Sequence, residues 1–288
     1  HPGILRTLRE LTRRVEAEGA ELTIWPEAAY PYALDHAAPR ADHGGRALLG
    51  GGVRGPILFG LITRARDDDA EGRRYDSYNS ATLVGRDGRM ETPVDKLQLL
   101  WFGETVPGSA TFPWLGRLFQ RSGGLVPGTA PRALDLPRDD GPALRMAVLN
   151  CYEDTLTSVG RRVTADLAPN LLVNVTNDAW FDDTAESELH ARLAAMRAVE
   201  SRHDLVRAVN LGVMTWVDAA GVVRARWDAS RAQTLLVTPA VDGGELTPYT
   251  RFGDAPCLAL FAVCGLAAWL RSRKRTATEH AAALPSRD

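Results

Sequence analysis

The chain has 288 residues, a formal net charge of −2 and a hydrophobic fraction of 45 %, enough for one large domain or two small ones. Its 34 basic side chains are balanced by 36 acidic ones and form no basic stripe, which argues against nucleic acid as a partner. Three cysteines, two of them in a hydrophobic tail, give no disulfide framework. No Pro/Ser-rich linker divides the chain, so one globular domain plus a tail is expected.

In chain order, residues 4–19 predict an amphipathic helix, with Ile4, Leu8, Leu11 and Val15 at helical spacing among Arg and Glu. Residues 22–25 predict a short buried strand that closes on Glu27, and residues 56–63 a second. The charged run 64–74 reads as an exposed loop, 78–84 as a third strand, and Gly85-Arg-Asp-Gly88 as a turn leading to a strand toward Lys96. Residues 102–140, rich in Gly and Pro, read as a long loop region of the kind that carries function.

Buried strands follow at 145–149 and 171–175. A helix is expected over 186–202, with Leu189, Leu193, Met196 and Glu200 on one face. Strands at 206–209, 213–217 and 234–237, with a hairpin turn at Asp218-Ala-Ala-Gly221, complete an α/β sandwich.

The tail is distinctive. Residues 255–270 carry no charge and precede Arg271-Ser-Arg-Lys-Arg275. The apolar run is slightly short of the roughly 17–25 residues of a spanning helix, and a buried core helix is the alternative. The basic cluster fits a cytoplasmic flank, with the domain on the opposite side. Cys257 and Cys264 read as apolar fillers of this helix, and residues 276–288 as a disordered polar end.

Chemistry points to three residues at the edges of apolar segments. Cys151 ends the apolar run 143–150, Glu27 follows a strand, and Lys96 precedes Leu97-Gln-Leu-Leu-Trp-Phe102. A thiol, a carboxylate and an ammonium in such settings suggest a nucleophile, a base and an anion stabiliser. A thiol mostly protonated at neutral pH needs such a base. Two other signals fail. Gly50-Gly-Gly-Val-Arg-Gly55 precedes a strand and opens no helix, so it is no dinucleotide fingerprint. His36, His43, His190 and His203 lack metal-ligand spacing, so no metal is expected at them.

The ordered set Trp25-Pro-Glu-Ala-Ala29, Asp95-Lys96, Phe102-Gly-Glu-Thr-Val-Pro107, Cys151-Tyr-Glu153 and Asn177-Asp-Ala-Trp-Phe181 resembles the nitrilase (carbon–nitrogen hydrolase) superfamily. Within it, the set is most similar to the apolipoprotein N-acyltransferases. His190-Ala-Arg192, Met196-Arg-Ala-Val-Glu200, Arg207-Ala-Val-Asn-Leu-Gly212 and Tyr249-Thr-Arg-Phe-Gly-Asp254 continue it. The resemblance implies a nitrilase-like αββα sandwich over residues 1–254, a C-terminal transmembrane helix at 255–270 and a basic tail at 271–288. The family's domain opens with a strand ahead of the first helix, so an amino-terminal strand is expected outside this sequence.

Carried over position by position, the resemblance makes Glu27 the base, Cys151 the nucleophile, and Lys96 with the Tyr152 backbone N–H the oxyanion partners. Glu104 and Glu153 become supporting carboxylates, and Trp25, Trp101, Phe102, Trp180 and Phe181 pocket or lid aromatics. Gln98, Trp101 and Thr105 depart from the family's usual residues after Asp95-Lys96, which leaves substrate detail open. The implied reaction moves an acyl chain from a phospholipid, through a Cys thioester, to the amino-terminal diacylglyceryl-cysteine of an apolipoprotein, and requires no metal or organic cofactor. The implied setting is the bacterial inner membrane, with a monomeric domain facing the periplasm. A nitrilase-type amidase with water as acceptor, or a catalytically silent membrane-tethered binding module, are the alternatives.

Overall fold

The computed structural model describes residues 2–40, 44–66, 75–109, 111–119, 124–181, 184–229, 231–241 and 245–282. Helix α1 (Pro2–Ala17) leads into β1 (Thr23–Ile24), β2 (Leu34–Asp35), β3 (Ile57–Arg66), β4 (Tyr75–Val84) and β5 (Val94–Asp95), which build the first sheet. Its order is β1-β3-β4-β5, with β2 also pairing β3. A short helix, α2 (Pro113–Leu118), precedes β6 (Ala133–Leu136) and β7 (Leu144–Asn150). Then come α3 (Thr157–Leu167), β8 (Leu171–Thr176), α4 (Glu186–Ser201), β9 (Leu205–Val209), β10 (Gly212–Val217) and β11 (Val223–Ala229). The second sheet runs β11-β10-β9-β8-β7-β6, with β7, β8 and β9 parallel.

Strand alternation sorts the side chains into three apolar layers. Leu58, Ala81 and Leu83 of the first sheet meet Met146, Val148, Val173 and Val175 of the second. Ile57, Phe59 and Leu61 point the other way, against Leu5 and Leu8 of α1. On the far side, Ala147, Leu149 and Leu172 pack under Val159 and Val163 of α3 and Ala194 and Ala198 of α4. Each large side chain buried this way contributes about 1.5–3 kcal/mol. The result is the αββα sandwich expected.

The structure differs from the expectation at four elements. α3 went unrecognised, although Val159, Val163 and Leu167 share its buried side. β11 follows the Asp218 turn directly, whereas 234–237 joins no ladder. Arg224, Arg226 and Asp228 hide the period of β11, as charges often do on an edge strand. Residues 102–140 hold α2 and β6 besides loops.

The fourth concerns the tail. After α5 (Pro248–Phe252), helix α6 (Ala255–Ala282) runs through the basic cluster and most of the end expected to be disordered; residues 283–288, His43 and most of the 64–74 loop lie outside the described residues. The stretch Ala255–Arg273 is long and apolar enough to cross a membrane, and none of it is buried against the domain. Among the described residues it is therefore no part of the domain's core.

Apart from these layers, a cavity of about 730 Å³ lies between α1, β1 and residues 231–241, lined by Leu11, Ile24, Met214, Leu235 and Val237 among others. Neither Glu27, Lys96 nor Cys151 lines it.

Candidate active site

The three expected residues converge where both sheets end. Glu27 follows β1 and lies under a fold-over of residues 26–30 onto β3. There Gly60 N–H donates to the Pro26 carbonyl at 3.1 Å, and Tyr30 N–H to the Gly60 carbonyl at 3.1 Å. A Cβ on Gly60 would stand 2.6 Å from the Ala28 nitrogen and 2.7 Å from the Glu27 Cα. Only glycine allows the backbone carrying Glu27 to approach this closely.

Lys96 comes directly after β5, its N–H held by the Asn79 carbonyl at 2.8 Å. It is 2 % exposed. Its Nζ lies 2.9 Å from the Glu104 carboxylate and 3.6 Å from Glu27 Oε1. The Tyr152 ring centre is 5.3 Å away, within cation–π range. Burial acts to lower the Lys96 pKa, but the Cys151 sulfur in its ionised form and the Glu27 and Glu104 carboxylates outweigh it and raise the value above that of ordinary lysine.

Cys151 caps β7, half-buried, in a 3₁₀ turn over Cys151–Thr155. Its φ is +55°, a left-handed conformation that a residue with a Cβ rarely adopts. Burial pushes the thiol up to about 12, with the Glu27 carboxylate adding to the rise and the Lys96 ammonium opposing it. The resting sulfur is therefore protonated. Burial likewise raises the Glu27 carboxyl against the pull of Lys96 and Asn79, which strengthens it as a proton acceptor.

Glu104 and Glu153 prove to be fasteners. Glu104 accepts from Lys96, from Asn79 Nδ2 at 3.0 Å and from Leu100 N–H at 2.8 Å. Glu153 accepts from Leu97 and Gln98 N–H at 2.6 and 2.8 Å, and from Asn150 N–H at 2.9 Å. It thereby ties the Lys96 loop to the Cys151 turn. Burial lifts it to about 7 despite those donors. Tyr152 joins the same seam, its hydroxyl donating to the Leu99 carbonyl at 2.9 Å.

Asn79, on β4, is the group that sequence reasoning missed. Its amide donates to Glu27 Oε1 at 2.7 Å and to Glu104 at 3.0 Å, and its Oδ1 accepts from Asn150 Nδ2 at 3.0 Å. The only sequence signal was an amide inside an otherwise strand-like run.

The aromatics divide. Trp25 was expected at the pocket and is instead a core residue, 2 % exposed, with its indole N–H on Thr12 Oγ1 at 2.9 Å. Its ring packs in the layer under α1, 6.0 Å from the Phe59 ring. Trp101 and Phe102 are 64 % and 54 % exposed on the loop beside Lys96, with Phe112, Trp114 and Leu118 similarly open nearby. The Phe102 ring meets Phe119 at 5.0 Å. The side chains of Trp180 and Phe181 lie outside the described residues.

Among the described residues, one cluster has metal-ligand composition: Asp178, Glu186 and His190 bring ligand atoms within 4.8 Å of one another. Both His190 nitrogens, however, already bond to carboxylates, Asp154 at 2.7 Å and Asp178 at 3.0 Å. Arg207 adds a cation to Asp178 at 2.7 Å. A metal would have to displace both ion pairs, so the cluster does not fit one.

The carbon-nitrogen hydrolase family profile matches residues 2–242. The chain belongs to the carbon–nitrogen hydrolase family. It is 31 % identical over 276 residues to the apolipoprotein N-acyltransferase of Geobacter metallireducens, spanning 92 % of this chain and 49 % of that protein. It is 34 % identical over 220 residues to the apolipoprotein N-acyltransferase of Brucella melitensis, spanning 73 % and 38 %. The chain thus spans about half, or less, of the length of these relatives. Among solved structures, it shares its fold with a mutant Nesterenkonia amidase of the nitrilase superfamily (TM-score 0.60, 19 % identity, 91 % of this chain and 92 % of that one). A nitrilase-superfamily member from Saccharomyces cerevisiae is similar too (TM-score 0.56, 17 % identity, 78 % and 80 %).

Two outcomes are expected from this geometry. Gly60→Ala should lower any reaction at Cys151 by about 10²-fold through displacement of Glu27, and an unchanged rate would contradict the role given to that close approach. The second concerns pH. Burial acts to lower the His190 pKa, but hydrogen bonds to Asp154 and Asp178 overcome it and lift the value from 6.5 to about 9. A raised pKa stabilises the fold fully below pH 6.5, and that contribution is lost as pH rises through 9. The melting temperature should therefore fall on this alkaline side, and the fall should be absent in His190→Gln. Parallel curves for the two proteins would contradict it.

Proposed function

We propose that this chain is the catalytic part of a phospholipid–apolipoprotein N-acyltransferase. The observation that carries the reading is the meeting of Glu27, Lys96 and Cys151 at a sandwich edge beside an exposed aromatic loop, in a chain that ends in an uncovered apolar helix. Glu27 takes the Cys151 proton as sulfur attacks the sn-1 ester carbonyl of a phospholipid. The C–O bond breaks, Glu27 returns the proton to the lysophospholipid alkoxide, and a thioester remains. The α-amine of a diacylglyceryl-cysteine then attacks that thioester, giving its proton through Glu27 to the departing thiolate. Lys96 and the Tyr152 N–H meet the negative charge on the acyl oxygen at both stages.

The membrane features support a lipid donor over a small soluble amide. Indole and phenyl rings favour the membrane interface, and Trp101, Phe102, Phe112 and Trp114 are all exposed on one loop region. With Arg271, Arg273, Lys274 and Arg275 on the cytoplasmic flank, α6 anchors the domain on the periplasmic face of the bacterial inner membrane. The cavity beside β1 supports a further strand as part of the domain. Among the described residues β1 pairs only with β3, and residues 231–241 face it without a ladder of their own. A segment of the intact protein joined ahead of Pro2 is the proposed occupant.

Acyl transfer from phospholipid to a diacylglyceryl peptide by the intact membrane protein tests the reading. Cys151→Ala should abolish it, Glu27→Gln should slow it by about 10²–10⁴-fold, and Lys96→Met by about 10²–10³-fold. Near-normal transfer by the Glu27 or Lys96 variant would overturn these assignments. In a separate fractionation, the chain should stay with membranes through a high-salt wash, and a version ending at Asp254 should be released more easily. Complete release of the intact chain by salt alone would sink the anchoring role of α6.

A further inference from the structure

Under the Cys151 turn lies a closed ring of buried charge that the acyl-transfer chemistry does not use. Asp154, 0 % exposed, belongs to the same 3₁₀ turn as Cys151. One of its oxygens lies 2.7 Å from His190 Nε2 and the other accepts from Arg207 Nη1 at 2.8 Å. Asp178 closes the ring from the opposite side, lying 3.0 Å from His190 Nδ1 and accepting from Arg207 Nη2 at 2.7 Å. Both imidazole nitrogens face carboxylates, so the imidazole is doubly protonated. Two anions then balance two cations. Glu186, on the same helix as His190, and Cys151 are titratable groups that also face this ring.

The ring reaches the nucleophile by two routes. One is covalent, through the turn that carries Asp154. The other runs through Asn174 on β8, whose Oδ1 accepts from Arg207 Nη1 at 3.1 Å. The Asn174 amide in turn donates to the Cys151 carbonyl at 3.0 Å and the Leu149 carbonyl at 3.1 Å. Cys151 has a φ of +55°, a conformation that persists only where the surroundings over-determine it. The ring and Asn174 supply that determination from below.

We propose that Asp154, His190, Asp178 and Arg207, acting with Asn174, form the positioning element that holds the Cys151 turn so that its thiol faces Glu27 and Lys96. The inference rests on the reading of Cys151 as the nucleophile. It assigns these residues no contact with substrate.

Stopped-flow acylation of the detergent-extracted membrane protein by a p-nitrophenyl ester separates positioning from fold support. The burst amplitude counts competent thiols, and the burst rate constant measures attack by each of them. Asn174→Ala keeps the ring's charge balance and removes only the amide link. His190→Gln removes one cation. Both variants should lower the rate constant by about 10–100-fold, with amplitude per folded protein and the ester KM near wild type. Should His190→Gln fail to fold, Asn174→Ala decides alone. Rate constants within about 2-fold of wild type, with losses confined to amplitude or melting temperature, would overturn the proposal. The underlying reading fails separately, either by the absence of a burst in wild type or by a burst that survives Cys151→Ala.

Discussion

Lys96 is 2 % exposed, and an ammonium taken that far from water costs several kcal/mol unless nearby carboxylates offset it. Glu104 at 2.9 Å and Glu27 at 3.6 Å provide the offset, and both must themselves be held. Asn79 holds the two together with one amide. This is why Glu27, Asn79 and Glu104, from three separate segments of the chain, gather around one nitrogen. The arrangement keeps a permanent positive charge in a dry site without a tight pair to Glu27, which stays available to take a proton.

The second sheet answers with a different problem. Its contribution is a protonated thiol on a turn with left-handed backbone, a conformation that needs support from its surroundings. Glu153 fastens the turn to the Lys96 loop from above, while the Asp154–His190–Asp178–Arg207 ring and Asn174 fasten it from below. One seam therefore joins the sheets chemically where the Leu58, Met146 and Val173 layer joins them by packing. Lys96, Asp154, Asp178, His190 and Arg207 each have an ion-pair partner. Sulfur alone is left to be ionised by the reaction.

How much of this was legible depends on the range of the interactions. Glu27, Lys96 and Cys151 each end an apolar segment, a local pattern that sequence displays. The αββα layering follows from similar local alternation. Arg207 reads locally as one charge in a strand, because its partners Asp154 and Asp178 are 53 and 29 residues away. Asn79 was hidden for the same reason, since its partners come from other strands and loops. Trp25 misled because it lies two residues from Glu27 in sequence, yet β1 ends at Ile24 and the chain folds over onto β3 from Pro26, so strand alternation does not tie the two side chains to one face. β11 was hidden by Arg224 and Arg226, whose partners Asp218 and Glu188 lie outside the strand.

The lipid reading ties the exposed aromatic loop to the uncovered helix α6, two apolar surfaces that a water-soluble amidase has no use for. Its central claim is that the acyl group rests on Cys151 between donor and acceptor. The most direct measurement is peptide mapping by mass spectrometry of the intact protein after incubation with phospholipid and no amine acceptor. The account predicts one acyl mass on the Cys151 peptide, lost on treatment with hydroxylamine and discharged on addition of a diacylglyceryl peptide. An acyl group mapped to any other residue, or one on Cys151 that the amine cannot discharge, would contradict it.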